Sequence, residues 1–321
     1  VVTVACFAGF GLMKQQFFPN SNTPLFFVHY KLPQGTSIDT TSEHLKQVED
    51  WLSQRDDVVS TTTFVGQGAT RFMLTYSAEK PNPSYGHMII RTESIDKIPA
   101  LQEDLERFGK NTFPEGEFRT KRLVFGPGGG DPIQVRFSGA DPAVLRQLGD
   151  EAITILTNAS DDLYDLRTNW REQEFALQPV YATNRAQTAG IDREDVAAAL
   201  LFATDGVAAG VFRERERLIP IIVRKPRDKD DNLMDQVVYS SGSNGVLPIE
   251  QVLDGFDYDI QDTLVHRRNR VLTLTVGADI PVDQTAATVH TQIRAAVEAM
   301  ELPLGYTMEW GGEFESSSDA Q

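Results

Sequence analysis

The stretch "GPGGGDPIQVRFSGADP" (126–142) decides the fold, because one pattern of strands and helices ends there and the same pattern begins again. Glycine and proline at the density of residues 126–132 disfavour both helix and strand, so a linker is predicted. A phosphate-binding loop would end in Gly-Lys-Ser or Gly-Lys-Thr, whereas Asp131-Pro132 stands at that place. The chain is therefore divided at this linker.

Before the linker, the predicted elements follow the order βαββαβ, which is that of the ferredoxin-like split βαβ unit. Segments rich in β-branched and aromatic residues predict strands at 25–33, 58–66 and 117–125, with further strand-forming sequence at 72–76 and 86–92. Helical spacing places Leu45, Val48 and Leu52 on one face of a first helix. Asp39 is the predicted N-cap of that helix. A second helix has its apolar face at Ile98, Leu101, Leu105 and Phe108.

After the linker the same pattern restarts, is interrupted, and then resumes. Strands are predicted at 133–139, 162–170, 270–279 and 305–312. A helix begins at Asp141-Pro142, where a capping carboxylate is followed by proline at the first helical position. Two helices have apolar faces at Leu145, Leu148, Ala152 and Ile155, and at Val289, Ile293, Ala296 and Met300. Segments 131–170 and 270–314 thus predict a second βαββαβ unit.

The interruption, residues 171–269, has helix and strand signals of its own. Gly190 is predicted to close a short helix, and a second helix runs from its cap at Asp192 to Gly206. The stretch "FRERERLIP" (212–220) predicts an exposed strand with cross-strand ion pairs. The predicted fold class is therefore α+β, with two ferredoxin-like βαββαβ units and an inserted α+β subdomain that splits the second.

Composition limits the function. The net charge of -16 and pI near 4.7 argue against nucleic-acid binding, which needs clustered Lys and Arg. A hydrophobic content of 40% is enough for real cores. The one cysteine, Cys6, lies in the apolar N-terminal stretch, so the rest of the chain offers neither disulfides nor cysteine ligands for zinc.

The N-terminal stretch "VVTVACFAGFGLM" (1–13) carries no charge. Thirteen helical residues rise about 20 Å, which is too short to cross a bilayer core of about 30 Å. A basic region and a cleavage site, which a signal peptide would have, are missing. Two readings stay open at this point: a cloning artefact or buried N-terminal helix, and the last third of a transmembrane helix.

The sequence offers no credible catalytic constellation. None of the five histidines lies at metal-ligand spacing from another, and neither a nucleophile elbow nor a dinucleotide fingerprint occurs. The acidic run that starts at Asp228 fits the first positions of a calcium loop, but Leu233 and Tyr239 stand where glycine and glutamate are required. We therefore expect no enzyme activity, no resident metal and no cofactor.

Short motifs in order along the chain resemble the second large periplasmic loop of resistance-nodulation-division (RND) efflux transporters, which lies between transmembrane helices seven and eight. The matching segments are Phe18-Pro19, the turn 32–37, the stretch from Arg185-Ala186 through Gly190-Ile191 to Asp195-Val196, the positions Gly210, Phe212 and Arg217, and the closing stretches 302–306 and 310–312.

The resemblance implies names for the subdomains. Residues 1–18 would be the truncated end of transmembrane helix seven, and 19–126 the porter subdomain PC1. Residues 127–170 and 270–321 would form the porter subdomain PC2, and 171–269 the docking subdomain DC.

The resemblance also implies a role. Such a loop belongs to a proton-driven homotrimer in the inner membrane of a Gram-negative bacterium, with a periplasmic adaptor and an outer-membrane channel as partners. The loop alone is expected to be a monomer. A cleft between PC1 and PC2 would admit substrate, with Gly128, Gly129 and Gly130 as its hinge.

The substrate pocket implied by the resemblance lies on and after the second PC1 strand. Phe64, Phe72, Met73 and Met88 are the candidate pocket residues, and Gly66 and Gly68 the candidate switch loop. The Phe-x-Phe pair typical of multidrug pumps is absent and Arg71 enters instead, which speaks against a broad drug profile. Ordinary core packing is the competing explanation for the four apolar residues.

Two alternatives remain beside the transporter reading. One is a stand-alone periplasmic binding or adaptor module with a membrane anchor. Only the presence or absence of flanking hydrophobic helices would distinguish this module from the transporter. The other is a protein-export relative of the same superfamily, against which the stretch from Arg185 to Val196 discriminates.

Overall fold

The structure is a computed structural model and describes residues 21–72, 76, 78–123, 130–226, 232–242, 245–281 and 284–319. These residues form two compact units. Unit 1 comprises the described residues up to Glu174 together with those from Asp262 onward, and unit 2 is Phe175–Gln261. The predicted membrane-helix end at 1–18, Met73, Gly128 and Gly129 lie outside the described residues. No helix in the described part of the chain is long and apolar enough to cross a membrane.

Unit 1 begins with what we call the first half, residues 21–123. Its elements are β1 (Leu25–Lys31), α1 (Ile38–Ser53), β2 (Val58–Val65), β3 (Tyr85–Thr92), a 3-10 turn (Ile95–Lys97), α2 (Ile98–Thr112) and β4 (Glu117–Arg122). The strands lie in the order β2-β3-β1-β4, and all neighbours are antiparallel. This is the split βαβ arrangement predicted from the sequence.

Local chemistry fixes the start of α1 two residues earlier than predicted. Ser37 has an extended backbone, and its hydroxyl accepts the N–H of Thr40. Asp39 therefore lies in the first turn, where its charge favours the positive end of the helix, and is not the cap. The strand predicted at 72–76 falls mostly outside the described residues, and Phe72 and Tyr76 belong to no strand.

The second half of unit 1 consists of residues 130–174 and 262–319. Before the interruption it contains β5 (Ile133–Gly139), α3 (Pro142–Ala159) and β6 (Tyr164–Thr168). Asp141 caps α3 as predicted, because its carboxylate accepts the N–H of Ala143 at 2.8 Å. Leu156 is fully buried on this helix, and the predicted Ile155 is partly buried against the same core.

Unit 2 fills the interruption. Its elements are β7 (Glu174–Tyr181), α4 (Thr183–Ala189), α5 (Arg193–Thr204), β8 (Val207–Glu214), β9 (Arg217–Val223), β10 (Val237–Tyr239), β11 (Val246–Pro248), β12 (Leu253–Gln261) and 3-10 turns at Leu233–Asp235 and Ile249–Gln251. Gly190 ends α4 with a φ of +67°, and Asp192 and Asp195 form a capping box on α5. The strands pair as β7 with β12, β8 with β9, and β10 with β11.

After unit 2 the chain completes the second half. It adds β13 (Arg267–Arg268), β14 (Val271–Asp279), α6 (Ala286–Glu298), β15 (Thr307–Gly312) and α7 (Glu313–Asp319). The order β6-β14-β5-β15 repeats that of the first half, with β13 added beside β14. On α6 the buried face contains His290 and Val297, whereas the predicted Ala296 is exposed. The repeated strand order confirms the α+β fold class.

Candidate functional site

The first sheet has two chemically different faces. Phe26, Val28 and Tyr30 of β1 pack with residues of α1 and α2 in one core. Because successive side chains of a strand point to opposite sides, Phe27, His29 and Lys31 lie on the other side, which we call the distal face. Their partners on β3 are Ile89, His87 and Tyr85.

Aromatic rings gather on the distal face around His87, which is 0% exposed. Its ring centroid lies 5.7 Å from Phe27, 5.9 Å from Tyr76 and 6.1 Å from Phe64. Phe72 extends the group, 4.8 Å from Tyr76 and 5.7 Å from Phe27. We call these five residues the aromatic cluster.

The segment 66–84, between β2 and β3, carries Phe72 and Tyr76 into the cluster. Gly66 begins it with a φ of +74°, a conformation that suits glycine. A Cβ on Gly68 would stand 2.7 Å from the backbone nitrogen of Glu79, so only glycine fits where the segment folds back on itself. Both glycines named in the switch-loop prediction are therefore required by the backbone of this segment.

Two histidines face each other across β1 and β3. His29 and His87 are cross-strand partners with ring centroids 4.9 Å apart. Nδ1 of His29 lies 2.7 Å from the hydroxyl of Tyr85, and the N–H of Ala69 donates to Nδ1 of His87 at 3.2 Å. His87 therefore accepts through Nδ1 and, in its neutral form, carries its proton on Nε2, which is buried without a partner among the described residues.

Both imidazoles are neutral near pH 7. Burial lowers the pKa of His87 to about 4. Burial also lowers the pKa of His29 well below its usual value, helped by His87 and by the positive charges of Lys121, Lys31 and Arg119. The cluster is thus an uncharged aromatic surface with cations at its margin.

The predicted pocket residues separate into two groups. Phe64 and Phe72 meet in the aromatic cluster, and Phe72 is 47% exposed. Met88 is 0% exposed and lies in the helix-packed core, because it follows His87 on β3 and points to the opposite face. Strand alternation in "LFFVHYK" (25–31) was the sequence signal that could have identified Phe27 and His29.

The donor set does not suit a divalent cation. Within the residues that the structure describes, no group of three His, Asp or Glu side chains could hold a metal ion. The cations that depress the pKa of His29 also repel a metal ion at the histidine pair. The aromatic rings around this pair suit an apolar or aromatic organic molecule.

A second surface of interest lies on unit 2. The β8–β9 hairpin, residues 207–223, pairs Phe212 with Ile219 and Arg213 with Leu218. Its exposed large apolar residues are Val211, Phe212, Leu218, Ile219, Ile221, Ile222 and Val223. These exposed residues include neighbours in sequence, whose side chains point to opposite faces of a strand. Both faces of this apolar hairpin are therefore exposed. The predicted exposed strand at 212–220 spans the turn of the hairpin, where Glu214 pairs with Arg217.

Comparison with known families gives a match over the whole chain. The family model described as the AcrB/AcrD/AcrF family matches residues 1–321.

Among curated proteins, the cobalt-zinc-cadmium resistance protein CzcA of Cupriavidus metallidurans is 20% identical over 339 residues, covering 100% of this chain and 31% of that protein. The cation efflux system protein CzcA of an Alcaligenes species (strain CT14) matches with the same identity and coverage.

Among solved structures, crystal forms II and I of a heavy metal efflux pump superpose with TM-scores of 0.76 and 0.75 at 15% identity, over 100% of this chain and 34% of the pump chain. At that identity the likeness shows the fold alone. The chain spans about a third of the length of all these relatives.

Proposed function

Since this chain belongs to the AcrB/AcrD/AcrF family, we propose that it is the porter and docking region of a proton-driven RND exporter in the inner membrane of a Gram-negative bacterium. The observation that carries the proposal is the pair of βαββαβ halves with one strand order, the second of them split by an α+β insert. In this proposal the first half is PC1, the second half PC2 and unit 2 DC, and the region faces the periplasm.

The substrate would enter a cleft between the two halves and contact the aromatic cluster of the first. We propose an apolar organic cargo, although the relatives are named for cobalt-zinc-cadmium resistance and heavy metal efflux. The support for this choice is the uncharged, ring-lined distal face and the cations beside its histidine pair.

Phe64→Ala in the exporter encoded by the complete reading frame tests this role. We expect export of an organic dye such as ethidium to fall several-fold, because Phe64 is a half-buried ring of the cluster that a cargo can reach. The measurement is dye efflux from cells that lack their own exporters, with zinc export assayed in parallel.

Phe108→Ala is the matched control, since Phe108 stacks on Trp51 on the helix side of the first sheet. Unchanged dye export by Phe64→Ala would mean that Phe64 only packs. Export of zinc but not of dye by the unmodified exporter would overturn the cargo class and leave the exporter proposal intact.

The apolar hairpin is the proposed docking element of unit 2. A two-stranded ribbon with apolar side chains on both faces is a costly surface to leave in water, which supports its burial in an assembly. We propose that it contacts the outer-membrane channel within a homotrimer, with a periplasmic adaptor as the further partner.

Leu218→Ser tests the docking role, because Leu218 is 67% exposed on the hairpin. Unfolding of the chain is expected to change by less than about 0.5 kcal/mol, since the side chain packs little in the fold. Export by the complete protein is expected to fall strongly. Val59→Ser, at a position on β2 that is 57% exposed, is the control and should leave both quantities unchanged. Full export by Leu218→Ser would remove the hairpin from the docking surface.

The competing proposal is a stand-alone periplasmic binding or adaptor module with a membrane anchor. Sequencing the parent reading frame decides between the two. A further apolar stretch before Val1 and a span of about 20 apolar residues after Gln321 would support the exporter. A start codon or signal peptide just upstream and a stop after Gln321 would support the module.

A further inference from the structure

Six charged side chains of unit 1 form one cluster, which we call the charge clasp. Its members are Arg119, Lys121, Asp131, Asp165, Arg167 and Asp279. Three are positive and three negative, so the cluster is balanced. Their side chains are between 11% and 31% exposed, which places the charges largely out of water.

Arg119 is the centre of the clasp. Its Nη2 lies 2.6 Å from Oδ1 of Asp131, and its Nε lies 2.8 Å from Oδ2 of Asp165 and donates to Oδ2 of Asp279 at 2.9 Å. One guanidinium thus reaches three carboxylates.

The remaining cations close the network around these carboxylates. Arg167 pairs with Asp165 at 3.0 Å and also contacts Asp131, and Lys121 pairs with Asp131 at 3.3 Å. Every charge in the clasp therefore has an opposite charge beside it, which is the condition under which buried ions persist.

The backbone around the clasp is shaped to hold it. A Cβ on Gly277 would stand 2.0 Å from Oδ2 of Asp131, so this carboxylate occupies the space that a side chain at position 277 would fill. Asp165 has a φ of +56°, which costs energy for a non-glycine residue. The pairing of β6 with β14 is irregular between Gly277 and Asp279. Strain kept at a charge cluster points to a role for that cluster.

The clasp joins the two halves of unit 1. Arg119 and Lys121 belong to β4 of the first half, whereas the three aspartates and Arg167 belong to the second. Lys121 also donates from Nζ to the carbonyl oxygen of Gly130 at 3.3 Å. The clasp therefore ties together, through side chains, two halves that the sequence connects by the glycine-rich stretch 126–130.

We infer that the charge clasp is a lock that holds the two halves together at this seam and must break before they separate. The inference rests on the proposed function, in which the halves part to open a substrate cleft. Separation of the halves would take Arg119 and Lys121 away from these carboxylates and leave Arg167 as the one clasp cation beside three aspartates, so parting the halves carries an electrostatic cost.

Asp131, the carboxylate shared by all three cations of the clasp, stays ionised at neutral pH. Burial raises the pKa of Asp131, but Lys121, Arg119 and Arg167 outweigh that effect and hold it at about 2. Charged side chains near the clasp include Glu117 of β4, Lys31 of β1 and Glu106 of α2. Burial acts in the opposite sense on two other members, since it raises the pKa of Asp165 and lowers the pKa of Lys121. The pairs of Asp131 with Arg119 and Arg167 are therefore the part of the lock on which the test concentrates.

The test uses the 321-residue chain with Cys6→Ser and nitroxide labels at Lys110→Cys on α2 and Glu151→Cys on α3, both exposed. Pulsed electron–electron double resonance (DEER) spectroscopy measures the distribution of distances between these two labels. We expect Arg119→Gln to raise the population with separated halves about tenfold or more, because the aspartates of the second half lose their central cation. Adding Asp279→Asn, which removes one of those charges, should reverse part of the change.

Arg107→Gln is the matched control, since Arg107 is 61% exposed and pairs with Glu103 and Asp104 of its own helix. Its distance distribution should equal that of the unsubstituted chain. If Arg119→Gln does not fold, Lys121→Gln gives the same readout with a smaller expected shift. A distribution for the clasp variants that matches the control would overturn the lock. Because the experiment involves no transport, failure of the lock and failure of the exporter proposal give different results.

Discussion

Trp170→Ala should lower the free energy of unfolding of unit 1 by about 3–5 kcal/mol, the range for removing a large aromatic ring from a core. Trp170 is 0% exposed in the core of the second half. Its Nε1 donates to the carbonyl oxygen of Thr273 at 2.8 Å, and the guanidinium of Arg146 lies 5.9 Å from its ring. The substitution therefore leaves both a cavity and a buried carbonyl without its donor.

The position of Trp170 makes this effect larger than ring size alone suggests. It lies shortly before the point at which the chain leaves the second half and enters unit 2. Arg146 contacts a residue just before unit 2 and another just after it. Arg146 donates to the carbonyl oxygen of Arg171 at 2.8 Å and to Asp262 at 2.7 Å. Losing the ring under Arg146 therefore removes packing from the side chain that holds Arg171 and Asp262, two residues of unit 1 that flank the 175–261 insert in sequence.

Urea unfolding followed by circular dichroism measures the loss. Trp51→Ala is the control, because Trp51 is only partly buried against the core of the first half and should cost less. Trp170→Phe keeps most of the ring but leaves the carbonyl of Thr273 unpaired, so it should fall between the two. Equal losses for Trp170→Ala and Trp51→Ala would contradict the special role of this position.

The order of elements could be predicted from sequence because it depends on local patterns. Strand-forming runs such as "LFFVHYK" and "IQVRFSG", the helix start at Asp141-Pro142 and the stop at Gly190 are all decided within a few residues. The two halves repeat these patterns in the same order, and the sheets repeat in the same way.

The face that a strand residue occupies was harder to predict. In β3 both faces are buried, so apolar character does not tell Met88, which is in the helix-packed core, from its neighbour His87, which is in the aromatic cluster. Hydrophobicity predicts which face of a strand is buried only when the opposite face is exposed to solvent. The prediction for Phe64 and Phe72, whose rings do meet His87 and Phe27, stays a prediction until export is measured.

The charge clasp could not be found from sequence at all. Arg119 reaches Asp131 at a separation of 12 residues and Asp279 at 160. Neither spacing corresponds to a helix turn or a strand pair, and the chain carries 46 acidic residues from which the three partners had to be chosen. Only the packing of β4 near the end of β14 brings them together.

Acid should destabilise the first half through His87, and the sign follows from its pKa. The unfolded chain binds a proton to this histidine near pH 6.5, whereas in the fold burial lowers the pKa to about 4. Between those values the unfolded state binds more protons than the folded state. The contribution of His87 to stability is therefore fully present above pH 6.5 and is lost as the pH falls toward 4. The gap corresponds to about 3 kcal/mol, and His29, whose pKa is also lowered, acts in the same direction.

The structural consequence of protonation is local. A proton on Nδ1 of His87 removes the acceptor for the N–H of Ala69, which ties the 66–84 segment to β3. The new charge would arise 4.9 Å from the ring of His29, with Tyr85 beside that ring and Lys31 and Lys121 close by. We therefore expect the segment that carries Phe72 and Tyr76 to detach before the sheet itself unfolds.

His87→Phe separates this effect from the general response of an acidic protein, in which lower pH also relieves repulsion among 46 carboxylates. The measurement is the urea midpoint between pH 7.5 and 4.5. The unsubstituted chain should lose stability across that range by a margin that His87→Phe largely removes, because a phenyl ring fills the site without a titrating nitrogen. His266→Phe, at an exposed position, should keep the original slope. A pH slope in His87→Phe as steep as in the unsubstituted chain would show that the cluster does not set acid stability.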